Sequence, residues 1–306
     1  MATTVSIHEL SEERVLILGG SGLLGAIILK EFSHVSQVYG TRFSSKFQDG
    51  LALRKVDASD LVELTSLIKS ISPTRIINCI GLTSVEECEQ RPEASWKVNT
   101  EIPWRLAQIS ACHGIELVHI STDHFMSSDR KPRLESSNIY PVNNYGYSKI
   151  EAEKLVKRYN PNALILRTNF FGHAVGNSRS LLDFALKALN SNERLMGFSD
   201  VYFSPVGATQ IARFLLDSRS KRVSGVLNFA SKEVITKFEF LRMVASCKGL
   251  DQSTVIPASI LDSELRVKRP NYLALDATRL NYDLGYPVPT LETMIKVEME
   301  SFASSR

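Results

Sequence analysis

Tyr145 and Lys149 stand four residues apart in the run Tyr145-Gly146-Tyr147-Ser148-Lys149, a spacing that puts both on one face of a helix. A free tyrosine titrates near ~10, and a neighbouring ammonium favours the phenolate at about 1.4 kcal/mol per pKa unit. The pair therefore predicts a phenol of lowered pKa, usable as a general acid or base near neutral pH. Thr122, in Ser121-Thr122-Asp123, can hydrogen-bond the same substrate oxygen and align it. Surface pairs share this spacing, so its weight depends on what precedes it in the chain.

What precedes it is the stretch from Arg14 to Gly25, RVLILGGSGLLG. Strand-forming Val15 to Leu18 stop at Gly19-Gly20-Ser21-Gly22, and a helical pattern begins. Gly19 permits a sharp turn, Gly22 lets backbone N–H groups approach a pyrophosphate with no Cβ in the way, and Gly25 lets the helix pack closely. The positive end of that helix then faces the phosphates. An ordinary glycine-rich turn has the same letters, but its place directly after an apolar strand favours a dinucleotide. Lys149 can then also hold the nicotinamide ribose. NAD binders carry an acidic residue about 20 positions further on; here that stretch is Gly40-Thr41-Arg42-Phe43-Ser44-Ser45-Lys46. Arg42 and Lys46, with the hydroxyls of Thr41, Ser44 and Ser45, suit a 2′-phosphate, the alternative being a solvated basic loop. NADP(H) is expected in preference to NAD(H). Asp57 either accepts from the adenine amino group or serves as a turn or cap residue.

The elements that must position these groups alternate. Helices are expected over Leu24–Phe32, Asp60–Ser70 (apolar at Leu61, Leu64, Leu67 and Ile68) and Ala94–Cys112, the last ended by Gly114. Strands are expected over Val35–Thr41, Leu51–Val56, Arg75–Ile80 and Glu116–Ser121. The class is α/β, a Rossmann-type doubly wound parallel sheet with ligands at the strands' carboxyl ends. Beyond Thr168 the pattern loosens into helices over Ser180–Leu189, Thr209–Leu216, Phe238–Cys247 and Leu291–Phe302, with strand segments at Ser204–Val206 and Gly225–Ala230. Residues 1–168 are expected to bind the dinucleotide. Residues 169–306 are expected to form mainly a smaller substrate-binding lobe, with segments returning to the first domain.

With 36 Lys and Arg against 33 Asp and Glu, the net charge of +3 is too small to suggest a nucleic-acid surface, and Arg130-Lys131-Pro132-Arg133 reads as a solvated loop. Cys79, Cys88, Cys112 and Cys247 lack metal-ligand or redox spacing, which suits reduced thiols in a cytoplasmic protein with no metal. Cys79 is expected in a strand and inert. The N-terminus lacks a signal-peptide core, and no run reaches the about 18 apolar residues of a membrane span.

These motifs together resemble the extended short-chain dehydrogenases/reductases: Gly19-x-x-Gly22-x-x-Gly25, Asp57, Asn78-Cys79-Ile80-Gly81, Val98-Asn99 and Tyr145-x-x-x-Lys149. Ser121-Thr122-Asp123, Pro141-x-Asn143-x-Tyr145-Gly146-x-Ser148-Lys149, Leu166-Arg167-Thr168 and Arg269-Pro270 with Leu275-Asp276 resemble the dTDP-4-dehydrorhamnose reductase branch, over nearly the whole chain. The resemblance implies an NADPH-dependent reductase of a nucleotide-linked 4-keto-6-deoxy sugar, with Tyr145, Lys149 and Thr122 catalytic. It places the cofactor on Gly19, Ser21, Gly22, Leu23, Leu24, Gly25, Thr41, Arg42, Asp57, Ala58, Ile80, Gly81, Leu82, Tyr145 and Lys149. The sugar falls on Thr83, Thr122, Asp123, Asn169, Phe170 and Arg269, although Arg269 equally suits a salt bridge tying the last segment to the body. A homodimer is a candidate assembly.

The chain departs from the branch at His124-Phe125-Met126 and Asn169-Phe170-Phe171-Gly172, so the resemblance does not fix the sugar. His124 and His173 are candidate substrate contacts, or ordinary hydrogen-bonded residues. Two further readings stay open. One is a non-catalytic NADP-binding partner protein resembling the regulatory β subunit of methionine adenosyltransferase. The other is a nucleotide-sugar epimerase or dehydratase, for which Cys112-His113 is the available extra pair.

Overall fold

The computed structural model describes residues 13–43, 52–126, 130–174, 180–191 and 193–303. The first half runs β1 (Arg14–Leu18), α1 (Leu23–Phe32), β2 (Gln37–Arg42), β3 (Leu53–Lys55), α2 (Leu61–Ile71), β4 (Arg75–Asn78), α3 (Val85–Gln90), α4 (Pro92–Trp96), α5 (Ile102–His113), β5 (Glu116–Ile120) and α6 (Asn144–Tyr159). The second runs β6 (Leu164–Thr168), β7 (Phe170–Phe171), α7 (Leu181–Asn190), β8 (Leu195–Phe198), β9 (Tyr202–Phe203), β10 (Val206–Gly207), α8 (Ala208–Asp217), β11 (Gly225–Phe229), β12 (Ile235–Thr236), α9 (Lys237–Lys248), β13 (Val255–Ala258) and α10 (Leu291–Ala303).

Seven strands form one parallel sheet in the order β3-β2-β1-β4-β5-β6-β11. Because side chains alternate along a strand, Val15 and Ile17 enter one apolar layer with Leu24, Ile28 and Phe32 of α1. Leu16 and Leu18 enter the other, with Leu64 and Ile68 of α2, Leu106 of α5 and Val156 of α6. The strand order reverses between β1 and β4, where such sheets open a ligand crevice at the carboxyl ends. The remaining strands pair in twos, β7 with β10, β8 with β13 and β9 with β12. Among the described residues, no helix is long and apolar enough to cross a membrane.

Several sequence expectations need correction. The helix expected over 94–112 is two helices joined by a π-turn over Lys97–Glu101. Long-range bonds produce the wider turn: Asn99 holds both backbone groups of Leu82, and the Thr100 hydroxyl donates to Ser148 O at 2.8 Å. Leu61 is exposed because Asp60 caps α2 immediately before it. The second strand starts at Gln37, leaving Val35 exposed, and the third is only Leu53–Lys55, with Leu51 outside the described residues. In the expected basic loop, Arg130 and Lys131 are solvated, but Arg133 is buried, donating to Tyr272 O while its own amide reaches Ala274 O.

Candidate active site

The glycine turn divides its demands among three residues. Gly19 has φ +80°, and a Cβ there would sit 3.0 Å from backbone atoms of Cys79 and Ile80. A Cβ on Gly25 would lie 2.3 Å from Gly19 O. Gly22 differs: its φ is −81°, and a Cβ would meet nothing nearer than Gly19 O at 3.4 Å. The protein itself tolerates a side chain there, so the space in front of Gly22 fits the approach of a pyrophosphate. α1 also begins without a side-chain cap, and its first-turn N–H groups, around Leu23 and Leu24, suit an anion. Gly81 has the same character, with only ordinary contacts at 3.6 and 3.7 Å, while Leu82 is held by Asn99. Ser21, Ile80 and Leu82 are half-buried, Ala58 is buried, and Thr83 is exposed at the crevice.

Gly22→Ala is therefore expected to leave the melting transition within about 1 kcal/mol of the unsubstituted protein while weakening NADPH binding at least about tenfold, as clearance to the phosphates is lost. Gly25→Ala forces backbone apart and should cost about 1–3 kcal/mol of stability. Thermal melts and NADPH titrations of the two variants separate the effects.

On the adenine side, Thr41 has a bracing role that its sequence position does not reveal. It is buried, and its hydroxyl accepts from Gly19 N at 3.2 Å, so it braces the turn. Arg42 sits half-buried at the end of β2; Ser44, Ser45 and Lys46 lie outside the described residues. Asp57 takes the turn role: its Oδ1 accepts from Ser59 N at 2.9 Å and Ser59 Oγ at 2.6 Å, and the Ser59 hydroxyl lowers its pKa first of all.

α6 delivers the tyrosine. Asn143 caps it by accepting from Gly146 N at 2.9 Å, which leaves its amide nitrogen to donate to Lys268 O and to His124 Nε2, both at 2.9 Å. His124 Nε2 is thus an acceptor and its ring neutral; burial pushes its pKa down to about 4. Gly146 is needed for close approach, since a Cβ would lie 2.9 Å from His124 O. The His124 ring meets the Tyr145 ring edge-on at 5.4 Å, and Thr122 hydrogen-bonds the phenol. Lys149 is buried and donates from Nζ to Ile120 O at 2.7 Å. Cys79, near enough to feel the Lys149 charge, has its thiol pushed up to about 12 by burial and is inert. The glycine turn after β1 and the Lys149, Thr122 and Tyr145 groups at the end of β5 thus lie along the same carboxyl edge of the sheet, on the two strands that flank β4.

The electrostatics reverse one expectation. Burial raises the Tyr145 phenol to about 12, with the Thr122 hydroxyl pulling it down and the Asp123 charge pushing it further up. Lys149 itself is lowered to about 8 by burial, against the charge of Glu153. Tyr145 is a neutral phenol at physiological pH in this structure, competent to give a proton but not to take one.

Asp123 is buried, accepts from Asn169 Nδ2 at 2.7 Å through Oδ2, and is raised by burial to about 6. Phe170 is half-buried beside this pair. Arg269 pairs with Glu86, the tying role, and its charge also lowers the pKa of His124. His173 bonds Asp183 and is structural. Cys112 and His113 are exposed at the end of α5, by the amino edge of β5 and away from the pocket. Glu86, Asn143 and Lys237 also act on His124 or Asp123, from positions whose partners are distant in sequence. The Pro-x-Asn-x-Tyr pattern was the available signal for Asn143.

A family model described as the RmlD substrate binding domain matches residues 13–303. The chain is 29% identical over 283 residues to the probable low-salt glycan biosynthesis reductase Agl14 of Haloferax volcanii, covering 90% of this chain and 94% of that one. It is 27% identical over 290 residues to the methionine adenosyltransferase 2 subunit beta of Bos taurus, covering 89% and 83%. The crystal structure of a dTDP-4-dehydrorhamnose reductase from Bacillus anthracis str. Ames in complex with NADP has the same fold, with TM-score 0.82 and 24% identity over 94% of this chain and 99% of that one.

Proposed function

The chain belongs to the RmlD substrate binding domain family, and from that premise we propose that it is an NADPH-dependent reductase of a nucleotide-linked 4-keto-6-deoxy sugar. Residues 1–168 hold the dinucleotide and residues 169–306 supply most of the sugar lobe. The observation that supports this reading is the shared carboxyl edge of the sheet: the open Gly22 turn follows β1, while Thr122, buried and hydrogen-bonded to Tyr145, and the buried Lys149 stand at the end of β5, the two strands flanking β4. NADPH, when bound, supplies the hydride that adds to C4. Tyr145 gives its phenolic proton to the carbonyl oxygen as the alkoxide develops, and the Thr122 hydroxyl steadies the phenolate left behind. Lys149, anchored at Ile120 O, keeps two N–H groups for the ribose. Asp123 and Asn169 accept from and donate to sugar hydroxyls.

The test is loss of nicotinamide absorbance when purified protein meets NADPH and a panel of nucleotide-linked 4-keto sugars. A non-catalytic, NADP-binding regulatory subunit is the second reading, favoured by the similarity to the β subunit relative. It requires a second chain to co-purify and the whole panel to stay silent.

Cofactor preference follows from Arg42 and the absence of an acidic residue beside it. Arg42→Ala should weaken NADPH binding by about 1.5–3 kcal/mol, one charge-assisted contact, and leave NADH nearly unchanged. Equal affinity of the unsubstituted protein for the two cofactors contradicts this assignment.

A further inference from the structure

Lys237 opens α9 directly after Thr236, which closes a capping box with Glu239. Its backbone is fixed twice more, by donation to Val201 O at 3.0 Å and by the pairing of β12 with β9. The side chain therefore leaves a rigid platform. Its Nζ lies 3.4 Å from the centre of the buried Phe203 ring, an attraction to the ring face that takes up no N–H donor. No described residue accepts a hydrogen bond from it. Its charge acts on Asp123 and on His124, so an ammonium from the second half of the chain lies near the end of β5. Asp123 Oδ2 is taken by Asn169.

A half-buried ammonium with uncommitted donors, opposite a buried carboxylate, matches a group that both gives and takes a hydrogen bond. We infer that Lys237 is a substrate-binding residue: with Asp123 it grips one hydroxyl of the hexose, the carboxylate accepting the hydroxyl proton and the ammonium donating to its oxygen. This rests on the reductase reading and adds to it a residue of the sugar site. The Phe203 ring keeps the ammonium over the pocket when the sugar is absent.

Lys237→Met keeps the length and apolar stem of the side chain and removes the charge. Isothermal titration of the NADP+-loaded protein with a dTDP-linked 6-deoxyhexose, together with KM and kcat for the corresponding 4-keto sugar, reads the consequence. Loss of one charge-assisted hydrogen bond should raise the sugar Kd and KM about 10- to 100-fold, leave kcat within about threefold, and leave NADPH affinity and the melting temperature unchanged. Lys237→Arg should recover most of the affinity. Sugar affinity in Lys237→Met within twofold of the unsubstituted protein overturns the inference alone. Failure of the unsubstituted protein to bind any nucleotide-linked deoxysugar overturns the reductase reading and the inference with it.

Discussion

Tyr145→Phe is expected to lower turnover by about 100- to 10,000-fold, the range of general acid catalysis, while NADPH affinity and the melting transition stay as they are. The substitution deletes one hydroxyl and keeps the ring that packs edge-on against His124. The only described group hydrogen-bonded to that hydroxyl is Thr122, whose own hydroxyl also accepts from His124 N at 3.2 Å and so is not left unpaired. The phenol's raised pKa sharpens the expectation. Held at about 12, Tyr145 is fully protonated across the physiological range, so no loss of reductase activity should appear on the alkaline side up to about pH 9, beyond effects from Lys149. Near-normal turnover by the variant would move the proton source to Asp123 or a bound water.

Glu153→Ala is expected to destabilise the fold by about 3–5 kcal/mol, the cost of leaving a buried charge without its partner. Arg167 and Glu153 are both buried, joined from Nε to both carboxylate oxygens at 3.0 Å and from an outer nitrogen at 2.6 Å. Glu153 also accepts from Ser121 Oγ at 2.5 Å, and Arg167 lies 5.2 Å from the Phe125 ring centre. The pair thus fastens α6, β6 and the start of Ser121-Thr122-Asp123 together, and it supports the site without touching it. Arg167→Met in the Glu153→Ala background removes the orphaned guanidinium and should restore part of the loss. Urea unfolding of the single and double variants measures both. A double variant no more stable than Glu153→Ala would show that the loss comes from broken packing and not from the stranded charge.

What could be seen in the sequence was whatever is written locally. The strand, glycine turn and helix over 14–32 were legible because three residues in a short span carry the geometry, and the two-faced strand Val15–Leu18 needs only its alternation. The Tyr145 and Lys149 positions were legible for the same reason. Their electrostatics were not: Lys149 is bonded to Ile120 O, and burial, invisible in a sequence, sets both pKa values. The π-turn over Lys97–Glu101 escaped because bonds to Leu82 and Ser148 outweigh a smooth helical period. Arg133 was misread as solvated because its partners come from residues 272–276. Lys237 and Glu86 act on Asp123 and His124 from elements whose local pattern says only that a helix begins.

Hydride transfer to a sugar ketone is tested most directly with NADPH deuterated at both C4 positions of the nicotinamide. Incubated with the purified protein and dTDP-4-dehydrorhamnose, or another 4-keto sugar that the panel shows to be accepted, it should yield a sugar one mass unit heavier, with the deuterium at C4 by NMR and one sugar reduced per NADPH consumed. Sugar recovered unlabelled, or still as the ketone, after incubation with NADPH-saturated protein would contradict the account.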